Sequence, residues 1–293
     1  MGRFKQFLRI IANKNPAPES QGNTPRVTPD PSARPATPDT PSIQLPPRSG
    51  VIVPLYIYPL NAGTWEPLHK AIADHSDLQF IVVINPNSGP GKPPAPDENY
   101  ARELPKLNAR PNVTTVGYVR TKYCKRTIDE VYEEVKVYAG WSEADEQSGI
   151  FVQGVFMDEV PNHHSEHVEN YLNDLTTKIK ENTGILGEKL VIHNPGTVPD
   201  EALTNTRPDL TAVFEESYAR YNACGPNEDN ALAVYAREGC TYILHSVPKD
   251  KIRHVVKELR FRAEYLFVTS LKSHFYESFG ESWPAFIEAM VEE

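Results

Sequence analysis

Residues 154–161 read Gly154-Val-Phe-Met-Asp-Glu-Val-Pro161, and this stretch decides how the rest of the chain is interpreted. Near-continuous apolar residues are typical of a strand that is covered on both faces of a parallel sheet. The run ends abruptly in two adjacent carboxylates, Asp158 and Glu159. Burying carboxylates costs free energy unless they are paired or hydrogen-bonded. Two of them at one strand end therefore indicate a site for acid–base chemistry on an uncharged substrate.

The same arrangement recurs in a second apolar run, which ends in Glu215 and Glu216. Further runs rich in Val, Ile, Phe and Tyr, the residues that favour strands, repeat along the chain. In all, the sequence predicts strands over Val51–Tyr58, Leu78–Asn85, Val113–Val119, Ile150–Glu159, Lys189–Asn194, Leu210–Glu215, Cys240–Val247 and Glu264–Thr269.

The segments between these runs carry the apolar spacing and capping residues of helices. They predict helices over Trp65–His75, Thr127–Trp141, His167–Asn182, Pro199–Leu203, Asn227–Arg237, Lys251–Arg262 and Trp283–Val291. We interpret the pattern as eight strand–helix units. It fits a (β/α)₈ TIM barrel, which has right-handed crossovers and no sheet edge. The alternative is an open doubly wound sheet, which needs an edge strand on which to end.

The first 49 of the 293 residues have a different composition from the rest. Ten of the 27 prolines lie between Pro16 and Pro47, and no aromatic residue occurs between Phe7 and Tyr56. Such a stretch cannot bury enough apolar surface to offset the entropy of ordering it. We therefore expect residues 1–49 to form a disordered Pro-rich tail and residues 50–293 to form the barrel domain.

Composition excludes several classes of function. The net charge of −9 argues against nucleic-acid binding, which usually needs a basic face.

No segment has the ~18 apolar residues of a membrane span. The basic N-terminus lacks the features of a signal peptide. A solvated tail and a short membrane-touching helix remain alternatives there. The three cysteines show no CxxC or disulfide framework, so we expect buried structural thiols.

In a barrel of this kind the site lies at the carboxyl ends of the strands. Those ends are rich in residues that bind sugars and transfer protons: Tyr56, Tyr58, Asn85, Tyr118, Arg120, Asp158, Glu159, His193, Asn194, Glu215, Glu216, His245, Ser246, Thr269 and Ser270. Because side chains alternate along a strand, we expect Asp158 and Glu215 to face one another, with Glu159 nearby and Glu216 pointing outward. Two carboxylates in different environments are the layout of a glycosidase. The rings of Tyr56, Tyr58, Tyr118 and Tyr218 would then contact sugar.

The motifs that would indicate a different function match their patterns less well. The loop from Asn85 to Lys92 resembles a phosphate loop only in its glycines, and we interpret it as a turn. His163 and His167 have a metal-pair spacing without an H-E-x-x-H motif. Cys124 lies beside basic residues but has no evident histidine partner. Asn112-Val-Thr114 is a glycosylation sequon by pattern, which matters only in a secreted protein.

Taken together, several motifs resemble the spherulin-4-like family, which includes fungal glycosidases of glycoside hydrolase family 135. They are Val53-Pro-Leu-Tyr-Ile-Tyr58, Val83-Ile-Asn-Pro-Asn-Ser-Gly-Pro-Gly91, Gly117-Tyr-Val119, Gly154-Val-Phe-Met-Asp-Glu159, His193-Asn-Pro-Gly196 and Val213-Phe-Glu215. The resemblance covers about residues 50–291. It implies a barrel enzyme that cleaves, in endo fashion, a fungal polysaccharide of galactose and partly N-acetylated galactosamine. It places the family's acidic residues on Asp158, Glu159 and Glu215, whereas Glu216 departs from the usual small or polar residue.

We therefore expect a glycoside hydrolase that acts as a monomer on a polysaccharide, without a cofactor or metal. The resemblance implies an extracellular or cell-surface location. Three alternatives stay open: a substrate-assisted route through the sugar's acetamido group, a non-catalytic carbohydrate-binding or structural protein, and a metal-dependent hydrolase that uses His163, His167 or His193.

Overall fold

The computed structural model describes residues 47–144, 148–224 and 235–292. Eight parallel strands close into a barrel in chain order. They are β1 (Gly50–Leu55), β2 (Phe80–Ile84), β3 (Val113–Arg120), β4 (Gly154–Asp158), β5 (Leu190–His193), β6 (Leu210–Ser217), β7 (Cys240–His245) and β8 (Tyr265–Val268). The barrel closes where Gly50 pairs with Tyr265 and Val51 with Leu266. The predicted (β/α)₈ barrel is confirmed, and the open-sheet alternative is wrong.

Helices surround the barrel between the strands. In the described residues they are α1 (Glu66–Asp74), α2 (Glu98–Asn108), α3 (Ile128–Ala144), α4 (Glu166–Glu181), the short α5 (Tyr218–Asn222), α6 (Ile252–Leu259) and α7 (Trp283–Val291). Apolar stripes on the longer helices pack against the strands. In α4, for example, Val168, Leu172, Leu175 and Ile179 are buried. Ser165 begins α4 because its side chain accepts a hydrogen bond from the amide of Val168.

Within the described residues, the observed helices differ from the predicted ones at α2, at the short α5, which the sequence did not indicate, and between β5 and β6. The sequence did not indicate α2, because Pro105 lies inside it and a proline-rich stretch precedes it; Asp97 caps its start. Between β5 and β6 the predicted helix Pro199–Leu203 is a short 3₁₀ helix over Glu201–Thr206. The predicted helix Asn227–Arg237 lies almost entirely outside the described residues.

Strand β6 contains an irregularity that bears on the site. Ala212 pairs with Thr241 and Phe214 pairs with Tyr242, so Val213 is an extra residue in the ladder. An inserted residue changes the face on which the following side chains lie. In the structure Phe214 stacks on Tyr242 and meets Tyr221 of α5, so it faces the helix layer. Glu215 consequently faces the barrel mouth.

The predicted tail concerns residues 1–49, of which 1–46 lie outside the described part, so its disorder stays a prediction. Ser49 already belongs to the barrel, since its hydroxyl donates to the carbonyl of Ala263 at 2.7 Å. Among the described helices, none combines the length and the apolar character that a membrane crossing requires.

Candidate active site

The centre of the barrel mouth is a pair of carboxylates joined by one amide. Asp158 is the last residue of β4, Glu215 lies near the end of β6, and Asn194 follows β5 between them. Nδ2 of Asn194 donates to Oδ1 of Asp158 at 2.8 Å and to Oε2 of Glu215 at 2.6 Å. Asn194 is itself buried, and its Oδ1 accepts from the amide of Gly196, which fixes the orientation of the side chain. The structure thus brings Asp158 and Glu215 together at the mouth, as strand alternation predicted, and their catalytic role stays a prediction.

Two tyrosines hold the outer oxygens of the same carboxylates. The hydroxyl of Tyr118 donates to Oδ2 of Asp158 at 2.7 Å, and that of Tyr276 donates to Oε1 of Glu215 at 2.6 Å. Each carboxylate therefore accepts one phenolic and one amide hydrogen bond. Such pairing offsets the cost of taking the carboxylates out of water.

A third tyrosine lies between the other two. The ring of Tyr56 meets those of Tyr118 and Tyr276 edge-to-face, with centroids 5.6 and 5.5 Å away. Its hydroxyl has no hydrogen-bond partner among the described residues, although it feels the charges of both Asp158 and Glu215. Tyr56 thus offers an unengaged hydroxyl beside the two carboxylates.

Burial and neighbouring charges shift the pKa values of two residues of the site. Burial raises the pKa of Glu215; hydrogen bonds from Tyr276 and Asn194 oppose this effect, and the nearby charges of Asp158 and Glu216 add to it. Burial, followed by the charges of Asp158 and Glu215, also raises the pKa of Tyr56 well above its ordinary value. Glu215 is therefore a carboxyl group that holds a proton more readily than a solvated one, as a general acid requires.

Glu159 lies at the rim beside the pair rather than within it. Its φ of 53° is in the left-handed region, which few non-glycine residues adopt. Its carboxylate faces Arg120, with Nε and Oε2 3.8 Å apart, and both side chains are partly exposed. Pairs of this kind contribute little to stability, so the arrangement leaves Glu159 available to solvent or ligand.

Backbone contacts hold this unusual strand end in place. The amide of Thr121 donates to the carbonyl of Asp158 at 2.9 Å, and its buried hydroxyl donates to the carbonyl of Glu159 at 2.7 Å. The amide of Tyr123 also donates to the Glu159 carbonyl at 2.7 Å. The loop after β3 therefore positions both acidic residues through their main chain.

Three of the predicted substrate-binding residues lie away from this cluster. His193 is buried against α4, where its Nε2 lies 3.3 Å from the hydroxyl of Thr176, and burial lowers its pKa to about 4. The prediction that His193 contacts substrate at the mouth was wrong, because alternation sends it outward when Asn194 points inward. Asn85 accepts from the amide of Gly89 and closes a turn. Tyr58 is exposed, and its hydroxyl accepts from Asn99.

The other predicted residues line the β6–β7 side of the mouth. Glu216 is exposed, as predicted, and its charge acts on Glu215 and on His245. The ring of His245 stacks on Phe275 with centroids 3.7 Å apart, and burial lowers its pKa. Tyr218 is half-buried at the start of α5 and packs against the core.

Comparison with known proteins shows the family of the chain. The model of spherulation-specific family 4 matches residues 50–290. The chain belongs to this family. Spherulin-4 of Physarum polycephalum is 32% identical over 184 residues, which span 60% of this chain but only 50% of that relative. Sph3 of Aspergillus clavatus, solved in complex with GalNAc, is 38% identical, has a TM-score of 0.79, and aligns over 84% of this chain and 98% of its own. The family resemblance of the sequence is confirmed.

Sequence reasoning missed two aromatic residues of the candidate site in this spherulation-family chain. Tyr276 and Phe275 lie in the loop between β8 and α7, where no strand end marks them. The only signal was the run His274-Phe-Tyr276, an aromatic cluster in a loop at the functional end of the barrel.

The structure explains the cysteine, histidine and sequon motifs without a nucleophile or a metal site in the described residues. Burial raises the pKa of the Cys124 thiol to about 12, the opposite of an activated nucleophile. Nδ1 of His163 lies 3.5 Å from Oδ1 of Asp200, and the ring of His167 lies beside that of Tyr171, with centroids 6.2 Å apart. Across residues 47–144, 148–224 and 235–292, no cluster of three or more His, Cys, Asp or Glu residues could hold a metal. Asn112 of the sequon is buried, and its Nδ2 donates to three carbonyls.

Proposed function

We propose that the protein is an endo-acting glycoside hydrolase for a polysaccharide that contains galactosamine and N-acetylgalactosamine. The observation that carries the proposal is the amide of Asn194, which holds Asp158 and Glu215 together at the barrel mouth. A general acid and a second carboxylate that flank the glycosidic bond are what glycoside hydrolysis requires.

The surroundings suggest a division of labour between the two carboxylates. Glu215, whose pKa is raised by burial, would protonate the oxygen of the departing sugar. Asp158, held by Tyr118 and Asn194, would attack or stabilise the anomeric carbon. Because one nitrogen contacts an oxygen of each, those oxygens lie at most about 5.5 Å apart, which favours a retaining over an inverting arrangement. We therefore expect the product to keep the anomeric configuration of the substrate.

Glu159 and Tyr56 would position the sugar. Glu159 lies at the rim with Arg120, and the hydroxyl of Tyr56, which has no hydrogen-bond partner in the described part of the chain, lies next to both carboxylates. In a substrate-assisted route the acetamido group of the sugar attacks, and a carboxylate orients that group. Loss of activity on a fully deacetylated polymer would favour this route over direct attack by Asp158.

The nature of the sugar is inferred from similarity and charge. Sph3, which is 38% identical, was solved with GalNAc. The mouth of this barrel carries Asp158, Glu159, Glu215 and Glu216, which suits a polymer with free amines. The three tyrosine rings at the mouth provide apolar faces of the kind that pack on sugar rings.

The decisive experiment measures reducing-end release from partly deacetylated galactosaminogalactan by the full chain, alongside Asp158→Asn and Glu215→Gln. We expect product from the parent and at least about a 100-fold loss in each variant, the scale on which acid–base groups contribute. NMR of the first product gives its anomeric configuration. A folded parent that releases no reducing ends would contradict the proposal.

The second candidate is a carbohydrate-binding protein without catalysis. It is favoured by the GalNAc complex of Sph3, which is evidence of binding in a relative and not of turnover. Glu215→Gln distinguishes the two functions because it preserves the shape of the site. Whichever function is correct, the Glu215→Gln variant should still bind the polymer. Turnover is present in the parent and lost in the variant only if the protein is a hydrolase.

A further inference from the structure

The turn after β3 has a backbone that requires explanation. Lys122, Tyr123 and Cys124 have φ values of 54°, 56° and 57°, so three successive non-glycine residues are left-handed. L-residues disfavour this conformation, and it persists only where the surrounding structure enforces it. The hydrogen bond from the Tyr123 amide to the Glu159 carbonyl fixes one end, and the buried side chain of Cys124 fixes the other. The turn is therefore tied to the acidic strand end.

The consequence of this geometry is an aromatic ring in solvent beside the site. The side chain of Tyr123 is 57% exposed, and within the described ranges its ring has no aromatic contact and its hydroxyl no hydrogen-bond partner. In the same turn the side chain of Lys122 is exposed and that of Cys124 is buried. The left-handed backbone therefore leaves the Tyr123 ring in solvent and does not bury it. Another exposed ring, Phe261, lies between α6 and β8 at the opposite end of the barrel.

We infer that Tyr123 forms an outer sugar-binding subsite, where its ring stacks on a sugar unit beyond the ones that flank the cleaved bond. The inference rests on the proposed function. A pyranose has an apolar C–H face, and a tyrosine ring with a polar tip is suited to such a surface in water. Because Tyr123 is anchored to Glu159 through its own amide, the subsite has a fixed position relative to the carboxylates.

The test uses N-acetylgalactosamine oligosaccharides of increasing length, with the full chain and three variants. Tyr123→Ala removes the ring, Tyr123→Phe keeps it, and Phe261→Ala removes a ring of similar exposure at the other end of the barrel. We expect Tyr123→Ala to lower kcat/KM about ten-fold on long oligosaccharides and to leave the shortest cleaved one unchanged. Tyr123→Phe and Phe261→Ala should match the parent at every length.

The outcomes separate this inference from the proposed function. An equal loss at all lengths, or no loss at any length, overturns the subsite while the parent remains a hydrolase. If the parent cleaves none of the oligosaccharides and also releases no reducing ends from partly deacetylated galactosaminogalactan, the proposed function fails. Calorimetric titration with the longest oligosaccharide then tests the subsite alone. Weaker binding by Tyr123→Ala than by Phe261→Ala supports it, and equal affinities overturn it.

Discussion

The hydroxyl of Tyr276, in the loop after the last strand, donates a 2.6 Å hydrogen bond to Glu215 on β6, 61 residues earlier in the chain. This bond favours the ionised form of Glu215, whereas burial favours the protonated form. The last loop of the barrel therefore sets how readily the proposed acid holds its proton.

Replacing Tyr276 by Phe should move the pH dependence of catalysis in a defined direction. The lost donor had lowered the pKa of Glu215, so that pKa rises in the variant. Because a general acid works only when protonated, the alkaline limb of kcat/KM against pH shifts upward by about one pH unit. Tyr118→Phe, which removes the donor of Asp158, is the matched control and should shift this limb less. A shift toward lower pH would contradict the role of Glu215.

The shared amide of Asn194 gives a second prediction. Asn194→Ala removes the donor between Asp158 and Glu215, and we expect kcat to fall about 100-fold, since fixed donors at reacting groups contribute on this scale. Asn182→Ala is the control because Asn182 makes the same kind of turn, accepting from Gly184 as Asn194 accepts from Gly196. Equal kcat losses in the two variants would show that only the turn matters.

Thr121 is expected to position Glu159 without touching substrate. Thr121→Val keeps the volume and removes the hydroxyl that donates to the Glu159 carbonyl. We expect kcat to fall about ten-fold while KM is unchanged, because the left-handed strand end is less firmly held. Thr121→Ser restores the hydroxyl and should restore kcat. A purely structural role would lower the melting temperature of Thr121→Val and leave kcat at ambient temperature as it was.

The fold was accessible from sequence because each buried parallel strand is a near-continuous apolar run, and eight such runs separated by helical patterns leave few topologies. The same logic found Asp158 and Glu215, since the carboxyl ends of barrel strands converge. It failed for His193, because a polar doublet at a strand end puts only one member inward. It could not detect Tyr276, which no periodicity locates, or the extra residue Val213 in β6, which is defined only by pairing with β7.

The sequon at Asn112 gives a fourth prediction. This residue is 3% exposed immediately before β3, and its Nδ2 donates to the carbonyls of Ile72, His75 and Leu78 at 3.0–3.2 Å. A glycan would have to be attached to that same nitrogen, so the folded protein cannot carry one there. We expect the mass of the protein from a secreting host to show no glycan at Asn112.

The same contacts predict a stability effect that is separable from glycosylation. Asn112→Asp replaces the donor by an acceptor that faces carbonyls, and we expect the free energy of unfolding to fall by about 2 kcal/mol or more. Thr114→Val abolishes the sequon, leaves the amide of Asn112 untouched and keeps a β-branched residue in β3, where position 114 pairs with Ile81. Urea titration of both variants decides between the explanations. If the hydrogen bonds matter, only Asn112→Asp loses stability, whereas equal losses would mean that the sequon acts through a glycan.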